Sequence, residues 1–302
     1  MSENTKNSDY LSDLLRQLRF SARVFFRDAY CGLWAVDTSG TRQVPFHLVS
    51  QGEGWLHGET GEPRRLLAGQ LVMFPNDSTH VLAATSDKPN PAHINAGPPE
   101  RLTGDITRLV CGYFEFERAS AAPLLASLPP VLVLDLNETR SPGARDVVSL
   151  WMREAAGDTL GSDLAVDRLA ELVFIEALRT QIATGQLAGI VGALADRRLG
   201  PALAAIHRDP QLPHTLEALA ATAGMSKTAF AQRFEKQTGF TPGQYVRHWR
   251  LQQAARALRE TDRSITAIAE SVGYQSEVAF RKAFRAHSGV PPGRYRRQDG
   301  EL

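Results

Sequence analysis

Two groups of polar side chains near the C-terminus have the chemistry needed to bind DNA. Guanidinium, ammonium, amide and hydroxyl groups donate hydrogen bonds to phosphates and to the edges of bases. The first group is Ser226, Lys227, Thr228, Gln232, Arg233 and Lys236, and the second is Gln275, Ser276, Glu277, Arg281, Lys282 and Arg285. Residues three and four apart share one face of a helix, so each group predicts a helix with a polar face. We expect the two faces to enter neighbouring major grooves.

The segments that carry these groups are two copies of one unit. Leu216 and Gly224 recur 49 positions later as Ile265 and Gly273. The phenylalanine and turn residues recur 50 positions later, as the pairs Phe230 and Phe280, Phe234 and Phe284, Gly239 and Gly289, and Tyr245 and Tyr295. Each copy reads as a short helix, a glycine turn of positive φ, a serine N-cap and a second helix, which is typical of a helix-turn-helix.

The second helix of each unit buries a phenylalanine pair and leaves its opposite face polar. The segment between the units predicts a linker helix of about twenty residues, roughly 30 Å long at 1.5 Å per residue. That length approaches the ~34 Å between successive major-groove faces. Ordinary amphipathic helices are the alternative interpretation. It is disfavoured because both the turn chemistry and the phenylalanine pair repeat.

Residues 200–298 resemble the DNA-binding domain of the AraC/XylS family of bacterial transcription regulators. The resemblance rests on the two Gly-to-Ser turns, on the linker RLQQAARALRET and on the closing GVPPGRYRR. It implies a seven-helix domain whose third and sixth helices enter adjacent major grooves. It also implies RNA polymerase as a partner and a homodimer as the working form.

The charge distribution agrees with a DNA-binding half. Residues 200–302 carry 15 Lys and Arg against 9 Asp and Glu, a net charge of +6. The first 199 residues carry 19 and 24, a net charge of −5, so the overall +1 conceals a basic domain joined to an acidic one. A basic surface alone is weak support, but together with the repeated motif it favours phosphate contact.

Length and composition predict two packed domains in the cytoplasm. The chain has 302 residues, of which 43% are hydrophobic, and only two cysteines. Two cysteines make no disulfide framework, which favours a reducing compartment. The sequence contains no apolar run of the ~20 residues needed to cross a membrane, and its polar start does not read as a signal peptide.

The first half of the chain predicts a β-barrel or sandwich. Short β-rich runs between residues 22 and 117 are separated by turn residues every eight to fifteen positions. Gly69, Pro75 and His80 have the spacing G-x5-P-x-D-x2-H, which resembles the second motif of cupin barrels, with Asp77 where many members have glycine. The predicted fold class is α+β, with a cupin-like β-barrel and flanking helices followed by an all-α domain of two helix-turn-helix units joined by a linker helix.

Four residues of the predicted barrel are candidate sensor residues, namely Cys31, His47, His80 and Cys111. In cupin enzymes an H-x-H, a Glu and the second-motif His hold a metal, but here His47 has no second histidine two residues on. Two histidines suit redox iron poorly and could hold zinc if Cys31 or Cys111 joined them. A disulfide between the cysteines is another possibility. The alternative is that all four are buried structural residues.

The region from residue 141 to 199 predicts helices that pack on the barrel, form a dimer interface, or do both. The expected organisation is a sensor domain at 1–140, this helical dimerisation and linker region at 141–199, and a DNA-binding domain at 200–298. Its helix-turn-helix units lie at about 216–238 and 265–288. We expect a transcription regulator, an activator that responds to a small-molecule or redox effector. The alternatives are a cupin metalloenzyme fused to a DNA-binding domain and an effector-independent DNA-binding protein.

Overall fold

The computed structural model describes residues 11–12, 15, 20–59, 61–116, 118–137, 142–157, 159–183 and 189–298. The described chain folds into two compact units, one covering residues 20–183 and the other residues 189–298. Each unit has its own hydrophobic core. The first unit is built on β-sheets and the second is helical, which confirms the predicted fold class.

Two antiparallel sheets form the first unit. The five-stranded sheet has the order β1-β8-β3-β6-β9 and the four-stranded sheet the order β2-β7-β4-β5. The strands are β1 Phe20–Cys31, β2 Ala35–Val36, β3 Val44–Gln51, β4 Glu53–Gly58, β5 Arg64–Leu67, β6 Gln70–Met73, β7 His80–Ala83, β8 Ile106–Phe116 and β9 Leu132–Asp135. A short 3₁₀ helix, Pro91–His93, lies between β7 and β8.

The barrel interior is mostly apolar because most inward-facing residues of both sheets are large and uncharged. Trp34, Leu56, Leu66 and Leu82 meet Val49, Val72, Phe74 and Leu109 there, together with Cys111. Tyr30 stacks on Trp34 at this interface, with ring centroids 5.1 Å apart. Burying such side chains is the main source of the domain's stability.

The first unit also contains three helices, α1 Arg118–Leu125, α2 Pro142–Ala156 and α3 Ser162–Ala183. Helices α2 and α3 pack on the other face of the five-stranded sheet. Trp151 of α2 is fully buried against Phe46, and Phe174 of α3 packs against Phe114. Helix α3 also lies along β1, the edge of the sheet: the backbone N–H of Val24 donates to Asp167 Oδ1 (2.7 Å), and that of Ala22 donates to Glu171.

The second unit begins with α4 Gly189–Ala195 and continues with seven helices over residues 199–298, all of which the structure describes. These are α5 Leu199–Arg208, α6 Leu216–Thr222, α7 Lys227–Thr238, α8 Pro242–Glu260, α9 Ile265–Ser271, α10 Glu277–Ser288 and α11 Pro292–Gln298. Thus α7 and α10 are the third and sixth helices of the seven. The helices predicted between residues 141 and 199 are divided between the two units.

The turn chemistry of the repeat is as the sequence predicts. Gly224 and Gly273 have φ of 61° and 84°, the left-handed region that favours glycine. Ser226 caps α7 and Ser276 caps α10, each side chain accepting a hydrogen bond from the backbone N–H three residues later. The phenylalanine pairs of both helices are fully buried.

Candidate DNA-binding face and sensor cluster

Helix α10 presents a cationic face to solvent. Its phenylalanines anchor the helix in the domain, and Arg281, Lys282 and Arg285 are exposed on the other side. Glu277, at the start of the helix, accepts hydrogen bonds from the hydroxyl of Thr266 and from Arg281 Nε. These hydrogen bonds lower the pKa of the Glu277 carboxyl. Three exposed cations against one carboxylate leave this face with a net positive charge, which suits it to phosphates.

Helix α7 is also anchored by a buried phenylalanine pair, but its exposed face has a different set of side chains. Ser226, Lys227, Thr228, Gln232 and Lys236 are exposed, as are Gln275 and Ser276 before α10. Lys227 Nζ lies 2.9 Å from Glu217 Oε1 on α6. In the second helix-turn-helix copy the corresponding residues are Glu277 and Thr266, which form a hydrogen bond instead.

Arg233, which the sequence places on the DNA-contacting face, forms an ion pair with Asp196 after α4. Asp196 Oδ1 also accepts from the backbone N–H groups of Arg198 (2.8 Å) and Leu199 (3.1 Å). Burial raises the pKa of Asp196, but the hydrogen bonds from Arg233 and from these N–H groups outweigh it and lower the pKa. The ion pair uses Nε and Nη2 of the Arg233 guanidinium, and the side chain is half exposed.

Two histidines and a cysteine meet in the interior of the first unit. His47 on β3, His80 at the start of β7 and Cys111 on β8 are essentially inaccessible to solvent. His47 Nε2 lies 3.1 Å from His80 Nε2, and His47 Nδ1 lies 3.0 Å from Cys111 Sγ. The Thr38 hydroxyl lies 3.1 Å from Nε2 of both rings. We call these four residues the sensor cluster.

Hydrogen bonding assigns the protons within the sensor cluster. His80 Nδ1 lies 2.7 Å from the carbonyl oxygen of Ser78, which can only accept, so His80 Nδ1 carries the proton. In a neutral ring Nε2 of His80 then accepts, and Nε2 of His47 donates to it. His47 Nδ1 is left as an acceptor for the thiol of Cys111. Every member is satisfied in its neutral form.

Burial keeps the sensor cluster uncharged. Desolvation, helped by the neighbouring His80, lowers the pKa of His47 to about 3. Desolvation also lowers the pKa of His80, although the Ser78 carbonyl, Asp37 and Asp77 oppose it. Burial raises the pKa of the Cys111 thiol well above its usual range. At neutral pH Cys111 is therefore a thiol, the unreactive form of cysteine.

The structure separates Cys31 from Cys111. Strand β1 pairs Cys31 with Ile106 and Phe26 with Cys111, so the two cysteines lie five residues apart along the sheet. At about 3.4 Å per residue the separation is roughly 17 Å. A disulfide requires Cα atoms within about 7 Å. The Cys31–Cys111 disulfide is therefore excluded in this fold, and Cys31 lies outside the sensor cluster, beside Arg101 and Thr103.

Neither cysteine is placed to join the two histidines as a ligand of one zinc ion, the possibility that the sequence left open. His47 Nε2, His80 Nε2 and the Thr38 hydroxyl are spaced like ligands of one tetrahedral ion, for which roughly 3.3 Å is expected. Cys111, however, contacts the opposite nitrogen of His47 and cannot reach the same ion. Within the described part of the chain no three His, Cys, Asp or Glu side chains come together as a metal site.

A loop ties the sensor cluster to a cleft. Residues 37–43 include Thr38, and their backbone is held by Asp77, whose carboxylate accepts from the N–H groups of Gly40 and Arg42. Asp77 has a φ of 53°, which explains why many cupins have glycine at this position. The same loop lines a cleft of about 1050 Å³. Val44, Pro75, Phe114, Phe116 and Leu125 form its apolar wall.

Sequence reasoning missed two residues of these sites. Thr38 lies in a loop without periodicity, and only the hydrogen-bond partners in the folded chain place it in the sensor cluster. Val278 is 78% exposed in the first turn of α10. It is apolar and so does not belong to the polar sets expected from the sequence, although its match to Thr228 in the repeat places it on the same exposed face.

Comparisons with known proteins agree with both units. The chain matches a cupin family model over residues 9–183 and a helix-turn-helix domain model over residues 219–298. It is 31% identical to an uncharacterized HTH-type transcriptional regulator of Haemophilus influenzae, over 96% of this chain and 98% of that protein. A putative AraC-like transcription regulator of Streptomyces lividans is 30% identical, over 96% and 98% of the two chains.

The RCS-specific HTH-type transcriptional activator RclR of Escherichia coli is 31% identical, over 86% of each chain. No helix among the described residues is long and apolar enough to cross a membrane. The match over nearly the whole length, together with the doubled helix-turn-helix and the cupin-type barrel, identifies the chain as a member of the AraC/XylS family of DNA-binding transcription regulators.

Proposed function

We propose that this regulator activates transcription by placing α7 and α10 in successive major grooves of promoter DNA. The observation that carries the proposal is that both helices are anchored by buried phenylalanine pairs while their opposite faces are exposed and polar. The linker helix α8 has 19 residues. At 1.5 Å per residue it is roughly 28 Å long, close to one turn of DNA. Activation, rather than repression, is proposed from the name of the RclR relative, and RNA polymerase is the proposed partner.

The proposal assigns phosphate contacts chiefly to α10. Arg281, Lys282 and Arg285 are exposed on one face of this helix. On α7, Lys227 and Lys236 are further exposed cations, of which Lys227 pairs with Glu217. Gln232 has the amide group that reads adenine in the major groove.

Salt-dependent binding of the full-length protein tests this assignment. We expect Arg285→Ala to weaken binding and to lower the slope of log affinity against log salt by about one. Arg256→Ala is the matched control, because Arg256 lies on α8 and pairs with Glu260. An unchanged slope in Arg285→Ala, or an equal change in the control, would contradict the proposed face.

We also propose that the regulator is a homodimer that uses α3. Leu160, Leu164 and Leu172 are exposed by 107%, 63% and 46% on this helix and the turn before it, whereas exposed leucines are normally scattered. Sedimentation of Leu164→Lys and Leu172→Lys should show monomers if the helix forms the interface. Leu33→Lys, at a site 65% exposed on the barrel, should leave the dimer intact.

We propose that the signal enters through loop 37–43. This loop joins the sensor cluster, through Thr38, to the cleft, through Thr41, Arg42 and Gln43. The buried thiol of Cys111 disfavours direct oxidation in this conformation, so a small organic molecule in the cleft is the effector that the geometry supports best. The apolar wall predicts a ligand with an apolar body.

Two measurements test the proposed entry point. The fluorescent probe 1-anilinonaphthalene-8-sulfonate should bind the wild type and lose affinity in Leu125→Lys, while melting temperatures stay similar. DNA affinity should respond to the probe in the wild type and not in Thr38→Val, which removes the hydroxyl between the two rings. Equal responses in both proteins would exclude loop 37–43 as the link. DNA affinity measured with zinc chloride and with hydrogen peroxide would reveal a metal or redox input through His47, His80 or Cys111.

The competing metalloenzyme function finds little support in the geometry. A catalytic metal needs an open position for substrate, but His47 and His80 are 0% and 1% exposed. We propose that the protein acts by binding rather than catalysis, and in the cytoplasm. Stoichiometric iron in the purified protein, together with oxygen consumption, would support the enzyme instead.

A further inference from the structure

The two recognition helices expose matching positions with different chemistry. Outward-facing positions three, four and seven residues apart form what we call the groove stripe of each helix. The stripe of α7 is Thr228, the half-buried Ala231, Gln232 and Glu235, and the stripe of α10 is Val278, Arg281, Lys282 and Arg285. Each residue of the α7 stripe matches the residue of the α10 stripe that lies 50 positions later in the sequence. The stripe of α10 thus carries three cations, and that of α7 carries none.

Val278 stands at the N-terminal end of the cationic stripe. It is 78% exposed, against 50% for Leu212, the other exposed large apolar side chain of the described residues 189–298. The carboxylate of its neighbour Glu277 accepts hydrogen bonds from Thr266 and Arg281. A protein partner covering Val278 would have to bury the three cations as well, which is costly without matched anions. DNA provides those anions in its phosphates.

We propose that Val278 reads a thymine through its 5-methyl group. The inference rests on the proposed placement of α10 in a major groove. Residues in the first turn of a recognition helix reach the base edges, and the thymine methyl is the apolar group that the major-groove edges of the bases offer. The cations three, four and seven residues further along hold the phosphates that flank this base. Thr228 also has a methyl group, but its hydroxyl permits other contacts.

This assignment predicts a base preference that depends on one methyl group. Replacing that thymine by deoxyuridine removes the methyl and leaves every hydrogen-bonding group in place. Loss of contact with one methyl-sized group should weaken binding about fourfold. Val278→Ala should bind the thymine operator several-fold more weakly and respond much less to deoxyuridine, because the side chain that contacts the methyl is shortened.

The experiment uses the full-length protein and operators that it selects from a random DNA library. Each thymine of a selected operator is replaced in turn by deoxyuridine, and affinities are measured for the wild type, Val278→Ala and Leu212→Ala. We expect one position, in the half-site of α10, where deoxyuridine weakens the wild type and Leu212→Ala about fourfold but has little effect on Val278→Ala. Circular dichroism melting verifies that the variants are folded.

The inference is overturned if the selected half-site contains no preferred thymine, or if Val278→Ala keeps the full deoxyuridine penalty. Arg285→Ala separates this failure from failure of the proposed function. If Arg285→Ala lowers the salt slope while the penalty does not depend on Val278, α10 binds DNA but Val278 does not read it. If neither variant changes binding, α10 does not lie in the groove.

Discussion

Protonation of a buried histidine should make the DNA-binding unit acid-sensitive. His207 on α5 is 3% exposed, stacks on Trp249 with ring centroids 4.0 Å apart, and has Nε2 2.6 Å from the Tyr245 hydroxyl. Burial lowers the pKa of His207 from 6.5 to about 3. Between these values the unfolded chain binds one more proton than the folded chain, so stability falls as the pH falls. Above pH 6.5 neither state is charged and the contribution vanishes.

The size of the effect follows from the two pKa values. Lowering the pH from 7 to 5 should cost this unit about 2 kcal/mol through His207 alone, at ~1.36 kcal/mol per pKa unit. His207→Gln removes the titrating ring and keeps a group able to bond Tyr245, so it should remove that part of the pH dependence. His248 and His287, whose pKa values burial also lowers, leave a residual dependence.

Hydrogen-exchange mass spectrometry of the full chain can follow peptides from α5 and α8 at both pH values, corrected for intrinsic rates. Tyr245→Phe is the matched control. It removes the hydroxyl but keeps His207 buried, so the unit should be less stable with the same pH dependence. If His207→Gln loses as much stability between pH 7 and pH 5 as the wild type, then burial of His207 does not cause the acid sensitivity.

Packing leads to three further predictions. Phe234→Ala should cost on the order of 3–5 kcal/mol, because it empties a fully buried site, and calorimetry should show the DNA-binding unit melting earlier. Gly273→Ala should destabilise more than Gly224→Ala in urea unfolding: both have positive φ, but a Cβ at Gly273 would lie 2.8 Å from Arg250 and the site at Gly224 is open. Iodoacetamide should alkylate half-buried Cys31 in the native protein and spare fully buried Cys111; equal rates would show that the barrel opens readily.

The fold of the DNA-binding unit could be predicted closely because the residues that determine it are close together in the sequence. The glycine turns, the serine caps and the phenylalanine pairs lie within a few residues of one another, and the repeat states each of them twice. Arg233 is the exception. Its sequence neighbours place it on the polar face, but α4 approaches from more than thirty residues away and supplies Asp196 as a partner. Helical periodicity contains no information about such an approach.

The sequence predicted the barrel fold, but it did not predict which side chains meet inside the barrel. Alternation and turn residues place both cysteines in strands, yet only the register between β1 and β8 shows that they are far apart. His47 and His80 meet because β3 and β7 lie in opposite sheets of the barrel. Which nitrogen of each ring faces Cys111, Thr38 or Ser78 depends on side-chain orientation, which residue spacing does not specify.

We expect the hydrogen bonds from β1 to Asp167 and Glu171 to protect the first unit against aggregation. An edge strand with unused N–H groups is a template for a strand of another molecule. While α3 is in place, its carboxylates occupy two of these groups, and no incoming strand can use them. Because α3 follows all nine strands that the structure describes, the ribosome synthesises those strands before the helix that covers their edge. We therefore expect the barrel without α3 to form strand-paired aggregates rather than a soluble half-domain.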